Sequence, residues 1–170
     1  LTAIAQANEK EIHELSIIVM DRSRNEQLIS DLRTAGARVL LITDGDIAGA
    51  IAPSLPNPEV DACMGIGASA EAVLAAAGLK ALGGEIQVQW WLEKHPHFKE
   101  EVQALGMDTE TVYKMEDLVK SEFTTFTATG ILNGPLLLGV RVGADTITTH
   151  SVSMRGKTKT VRWIETEHRI

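Results

Sequence analysis

The sequence predicts an α/β fold, a layered sandwich whose sheet begins with parallel strands and finishes in a C-terminal antiparallel hairpin. Three observations predict it. The first half of the chain repeats one unit three times: a short apolar run, a polar loop, then a helical stretch. Strands alternating with helices in this way build a parallel sheet with crossover helices. The end of the chain turns rich in Thr, Val and Ile, and two such runs meet across Arg155-Gly156-Lys157, the pattern of a hairpin. Finally, 170 residues with 44% hydrophobic and 23% charged positions suit one globular domain with a real core.

Each element follows from its local sequence. Leu1-Thr2-Ala3-Ile4-Ala5 opens inside a helical stretch without an initiator methionine and reads as a cut end. Residues 16–20 (Ser-Ile-Ile-Val-Met) are a buried strand, and 25–35 a helix stopped by Gly36. Residues 38–42 form the second strand, followed by a short helix to Ile51. The prolines at 53, 56 and 58 make the next stretch irregular. Residues 60–64 are the third strand, and an Ala-rich helix covers 69–82 before Gly83-Gly84. Residues 85–91 predict another strand, and 97–105 a helix ending at Gly106. The hairpin takes residues 147–154 and 158–166. No repeat, linker or low-complexity tract divides the chain.

A formal charge of -7 argues against non-specific binding of nucleic acid or anionic membrane, though a local arginine pair still suits a small anion. The single cysteine, Cys63, excludes an intrachain disulfide and fits a reducing, cytoplasmic compartment. Its apolar neighbours predict a buried, inert thiol. No apolar run is long enough to span a bilayer.

In an open parallel sheet, ligands bind beyond the carboxyl ends of the strands. Here each strand-to-helix loop carries suitable groups. The first offers Arg22 and Arg24, whose guanidinium forks suit phosphate oxygens. The second offers Asp44 and Asp46, acceptors for sugar hydroxyls, around Gly45. The third offers Gly65 and Gly67, then Glu71, a hard oxygen ligand for magnesium or manganese. Each loop alone has a plainer reading: a solvated basic face, an Asp46 helix cap, a glutamate complementing a helix dipole. Three such loops in succession favour a polyol-phosphate site.

With those loops in place, the chain resembles the class II fructose-1,6-bisphosphatases along nearly its whole length. The matching blocks are Val19-Met20-Asp21-Arg22-Ser23-Arg24, Leu41-Ile42-Thr43-Asp44-Gly45-Asp46 and Met64-Gly65-Ile66-Gly67 through Glu71. Further blocks are Ala81-Leu82-Gly83-Gly84-Glu85-Ile86-Gln87, Ala128-Thr129-Gly130, and Thr148-Thr149-His150-Ser151 with Met154-Arg155-Gly156-Lys157. The resemblance implies the α-β-α-β-α sandwich of the lithium-sensitive phosphatase superfamily. It implies hydrolysis of the 1-phosphate of fructose 1,6-bisphosphate with Mn2+ or Mg2+, in gluconeogenesis and central carbon metabolism, and some members also take sedoheptulose 1,7-bisphosphate. By position, Arg22, Ser23 and Arg24 match the substrate-binding basic segment, and Asp44, Gly45 and Asp46 the sugar-contacting one. Ala68 matches a substrate-contacting glycine, and Glu71 a metal-binding glutamate.

Departures from the pattern carry expectations of their own. The third loop has Ala68 in place of glycine, which adds a β-carbon and disfavours positive φ. The basic segment ends Ser23-Arg24-Asn25 where Pro-Arg-His is usual, which loosens that loop and removes a hydrogen-bonding group. Trp90 and Trp91 are expected in the core or a subunit interface of a homo-oligomer. Nothing resembles the Asp-Pro-x-Asp-Gly-Thr block of the family's N-terminal half, where most metal ligands lie. The whole chain, residues 1–170, is then a single C-terminal substrate-binding domain, without catalytic residues and inactive alone. Its partners are a sugar bisphosphate and the missing N-terminal half.

Other candidates are weaker. His95-Pro96-His97 suits a solvated loop better than zinc, and His150 is expected to pack or bond within the hairpin. Ser69 and Ser151 lack a nucleophile elbow, and Gly65-Ile66-Gly67 lacks the third glycine of a dinucleotide fingerprint. Two rival functions remain: a non-catalytic sugar-phosphate-binding or regulatory module, and a phosphatase of the same fold acting on another polyol phosphate.

Overall fold

The structure, a computed structural model, describes residues 1–93 and 96–170. Strand β1 (Ser16–Met20) lies between β2 (Arg38–Ile42) and β3 (Ala62–Cys63), and both neighbours run parallel to it. Ile17, Ile18 and Val19 are wholly buried. Ile17 and Val19 pack with Ala5 of α1 (Thr2–Ala7) and with Ile29 and Leu32 of α2 (Glu26–Thr34). Ile18 points the other way, against Ala52 and Val60. An unbroken apolar run therefore means a strand covered on both faces.

The register runs from Ser16 opposite Arg38 to Met20 opposite Ile42. Strand β3 is shorter than residues 60–64 suggested. Flanking bonds from Asp61 N–H to the Ser16 carbonyl and from Met64 N–H to the Ile18 carbonyl continue its line. Helix α3 (Asp46–Ile51) is entered through Gly45 at φ 87°, the left-handed region that glycine reaches without penalty. The proline-rich stretch is not wholly irregular. Ala52–Ser54 form a 3-10 turn, because proline is tolerated in the first turn of a helix. Helix α4 (Ser69–Leu82) ends on left-handed Gly83, where the N–H groups of Gly83 and Gly84 both reach the Leu79 carbonyl.

The second half builds separate antiparallel sheets. The strand expected over 85–91 shrinks to β4 (Gln87–Val88), paired with β5 (Tyr113–Lys114). Helix α5 (Phe98–Ala104) precedes Gly106, as expected. The short helix α6 (Met115–Leu118) follows β5. Strands β6 (Thr125–Thr129), β7 (Arg141–Val142), β8 (Thr146–Arg155) and β9 (Thr160–Arg169) make a four-stranded sheet. The β8–β9 hairpin is longer than its sequence pattern indicated. Arg155 is its last paired residue, and residues 156–159 form the turn, with Lys159 at φ 50°.

Parallel and antiparallel strands thus do not share the single mixed sheet expected from sequence. Helices separate them: α3 packs on β1 and β3, α4 packs on β6 and β8, and α3 packs on α4. The central core of Ile51, Ala76, Leu79, Phe126, Val152 and Met154 joins these layers. Trp90 and Trp91 are half-buried and belong to none of the buried core clusters. Among the described residues no helix is long and apolar enough to cross a membrane.

Candidate functional site

The first loop leaves β1 and winds through a 3-10 turn, Ser23–Asn25, into α2. Its two arginines diverge. Arg22 Nη2 donates to the Thr43 carbonyl at 2.6 Å and stands 3.5 Å from Asp44 Oδ1, while Nη1 donates to the Asp21 carbonyl at 3.1 Å. Arg22 is therefore tied to the second loop. Arg24 Nε instead donates to the Ile66 carbonyl of the third loop at 2.6 Å. Ser23 is exposed at the start of the turn.

In the second loop the Asp44 side chain is 82% exposed, and among the described residues it is held only by its long ion pair with Arg22. Asp46 is not the helix cap that a plainer reading allowed. Gly45 takes that position, and no side chain caps α3. The half-buried Asp46 carboxylate reaches the third loop instead, with Oδ2 3.8 Å from where a β-carbon on Gly67 would stand. Burial, reinforced by the Asp46 charge, pushes the Cys63 thiol up to about 11, so it is protonated and unreactive near neutrality.

The third loop corrects one expectation. Ala68 is the N-cap residue of α4, with φ -86° and ψ 155°. This is ordinary extended backbone, so its β-carbon causes no strain, and the residue is exposed. Glu71 lies in the first turn of α4, where the helix dipole favours a carboxylate. Its Oε2 is buried without a hydrogen-bond partner among the described residues. An orphaned buried carboxylate oxygen is costly, and a bound cation would satisfy it. No group of three or more His, Cys, Asp or Glu among the described residues could hold a metal. Glu71 could therefore offer one ligand, with no complete ligand set around it among the described residues.

Asn25 is the residue that the sequence reading undervalued. It is fully buried, with Nδ2 donating to the Met20 carbonyl at 2.9 Å and Oδ1 accepting the Ile66 N–H at 3.0 Å. The loop is braced here, not loosened. The only signal in the sequence was an asparagine directly before a helix, which ordinarily reads as a surface cap. A cavity of about 390 Å³ opens beside this loop, lined by Asp21, Glu26, Arg33 and Leu41 among others, and a second of about 360 Å³ lies at the far end of α4. The predicted site residues line neither.

Elsewhere, His150 Nδ1 accepts the Leu138 N–H at 3.2 Å, and its ring stacks on Trp163. It is thus engaged in the antiparallel sheet, as expected. Ser151 shares a hydrogen bond with Thr129 across that sheet. His95 lies outside the described residues, and His97 packs against Phe98.

A parallel sheet with cross-braced, charged loops at its strand ends defines an α/β protein of the open-sheet class, in which such loops form the ligand crevice. Comparison with known proteins narrows the class. The profile of the family described as bacterial fructose-1,6-bisphosphatase, glpX-encoded, matches residues 1–168, and the chain belongs to that family. It is 37% identical over 180 residues to a Haemophilus influenzae protein named fructose-1,6-bisphosphatase class 2, covering 99% of this chain and 54% of that one. It is also 37% identical over 181 residues to a Trichodesmium erythraeum protein named D-fructose 1,6-bisphosphatase class 2/sedoheptulose 1,7-bisphosphatase, covering 99% and 52%. The chain spans about half the length of the curated relatives it matches.

Proposed function

We propose that this chain is the substrate-binding half of a metal-dependent sugar bisphosphatase that removes the 1-phosphate of fructose 1,6-bisphosphate, with sedoheptulose 1,7-bisphosphate as a second substrate. The fold is that of the lithium-sensitive phosphatases, and the activity serves cytoplasmic central carbon metabolism, including gluconeogenesis. The observation that carries this reading is the cross-bracing of the three loops: Arg22 to Thr43 and Asp44, Arg24 to Ile66, and Asp46 beside Gly67.

Each residue then has a role. With Nε spent on Ile66, Arg24 keeps its terminal N–H groups for a phosphate, and the bond fixes their direction. Arg22 supplies positive charge at the opposite end of its loop, and Ser23 between them adds a hydroxyl. Asp44 and Asp46 accept from sugar hydroxyls, Gly45 lets backbone come close, and Ala68 lies against the ligand. Mn2+ or Mg2+, when bound, would supply neutralisation of phosphoryl charge and an activated water. Glu71 would supply one of its ligands. The remaining ligands belong to the other half of the enzyme, so this chain is inactive alone.

The test is phosphate release from fructose 1,6-bisphosphate, with manganese or magnesium, by the complete polypeptide and by this chain separately. Turnover only by the complete polypeptide is the expected result. Tight sugar-phosphate binding without turnover in any form would replace the enzyme with a binding module.

A further inference from the structure

We infer that Asn25 is a positioning residue, one that holds the arginine loop and the entry to α4 at a fixed separation. Its consequence for catalysis rests on the sugar-phosphate reading above, but its geometry does not. The side chain is completely buried, and both ends of its carboxamide are matched. Nδ2 donates to the carbonyl of Met20, the last residue of β1, at 2.9 Å, and Oδ1 accepts the N–H of Ile66 at 3.0 Å. Its neighbour Arg24 donates Nε to the carbonyl of the same Ile66 at 2.6 Å. Residue 66 is thus gripped at both its N–H and its C=O by two consecutive residues of another loop.

The chain runs directly from Ile66 through Gly67 and Ala68 into the first turn of α4, where Glu71 sits. The clamp therefore couples Arg22, Ser23 and Arg24 on one loop to Ala68 and Glu71 on the other. It demands a side chain that donates at one end and accepts at the other. A carboxamide does so, and a neutral imidazole does too; a carboxylate only accepts, and leucine does neither. Histidine, usual at this place in the pattern the chain resembles, meets the same requirement.

The test compares Asn25→Leu, Asn25→Asp and Asn25→His in the complete polypeptide. One readout is amide hydrogen exchange at Ile66, and the other is KM and kcat for fructose 1,6-bisphosphate. Leu removes the acceptor of the Ile66 N–H, whereas Asp keeps an acceptor but sets a buried charge against the Met20 carbonyl, which should push the side chain off Ile66. Both should therefore speed exchange at Ile66 and raise KM about tenfold or more, with kcat changing less, as misplaced contacts do. His should stay near wild type in both. Wild-type exchange and KM in the Asp variant would overturn the clamp and leave Asn25 as a space-filler. Faster exchange with unchanged KM would overturn the positioning role. Should Leu fail to fold, the contrast between Asp and His decides. Failure of the wild-type protein to use the sugar bisphosphate would defeat the functional reading, while the exchange rates would still judge the clamp.

Discussion

At the scale of single residues, the side chains proposed to bind ligand also brace the loops that carry them. Arg24 is the clearest case, because Nε braces a loop while the other nitrogens make no hydrogen bond or ion pair among the described residues. Arg24→Ala should raise KM for fructose 1,6-bisphosphate about tenfold or more, the cost of a charge-assisted hydrogen bond. Arg24→Lys should not restore it, since an ammonium lacks the fork needed to reach two partners. A wild-type KM in either variant would remove Arg24 from the phosphate. Glu71→Gln should shift the manganese titration of the complete enzyme to higher concentration, and an unshifted curve would remove Glu71 from the cation. Asp61 bears on stability instead. Burial pushes its carboxyl up, but hydrogen bonds from Lys10 at 2.6 Å and Ser16 N–H at 2.9 Å outweigh this and hold it below its ordinary value. Its stabilisation is therefore complete above the ordinary carboxylate range and is lost as pH falls through the lowered folded value, below about pH 4. Asp61→Ala should cost about 1–3 kcal/mol at neutral pH, because it leaves the Ser16 N–H unpaired. Denaturant melts at pH 7 and pH 3 should show that gap closing in acid.

At the scale of elements, the small residues in the recognised blocks acquire reasons. A β-carbon on Gly130 would run into the Leu138 carbonyl oxygen and stand 2.9 Å from its carbon. Backbone cannot yield there as a flexible side chain would. Gly130→Ala should therefore destabilise the antiparallel sheet by about 1–3 kcal/mol, read as a lower urea midpoint with an unchanged slope. The Thr-rich tail is likewise explained by pairing. Thr127 meets Ser153 and Thr129 meets Ser151 across β6 and β8, the cross-strand hydroxyl contacts that favour such residues on a sheet face. The long helices and strands were legible because apolar periodicity and glycine stops span enough residues to register. Strands β5 and β7 have two residues each, too few to show any period, and β3 and β4 stand out in the sequence only as longer apolar runs, because their partners alone decide where pairing stops.

At the scale of the whole molecule, α4 is apolar on more sides than its neighbours cover. Ala75, Ala76 and Leu79 are buried, yet Val73 is 43% and Leu74 49% exposed, with Ala70 exposed on the same stripe. A helix that is apolar all round belongs inside a larger body. Parallel strand β2 shows the same excess, with Leu40 and Leu41 exposed although parallel strands are normally covered on both faces. These surfaces support the proposal that the other half of the enzyme packs here. Leu74→Glu should leave the stability of this chain within about 0.5 kcal/mol, as for a surface position. In the complete polypeptide the same change should abolish phosphate release. Full activity of that variant would move the packing surface elsewhere.

The sequence by itself determined the order of the main elements, the family and the identity of the charged loops, because these depend on local pattern and on blocks of matching residues. It misjudged whatever depends on neighbours distant along the chain. Separation of the parallel and antiparallel sheets followed from α3 and α4 packing between them, which no single segment encodes. Asn25 and Ala68 were misread for the same reason. Whether an asparagine braces a loop or loosens it, and whether an alanine stands where positive φ is needed, depends on the backbone that surrounds it. Only tertiary structure brings Met20, Asn25 and Ile66 within hydrogen-bonding distance.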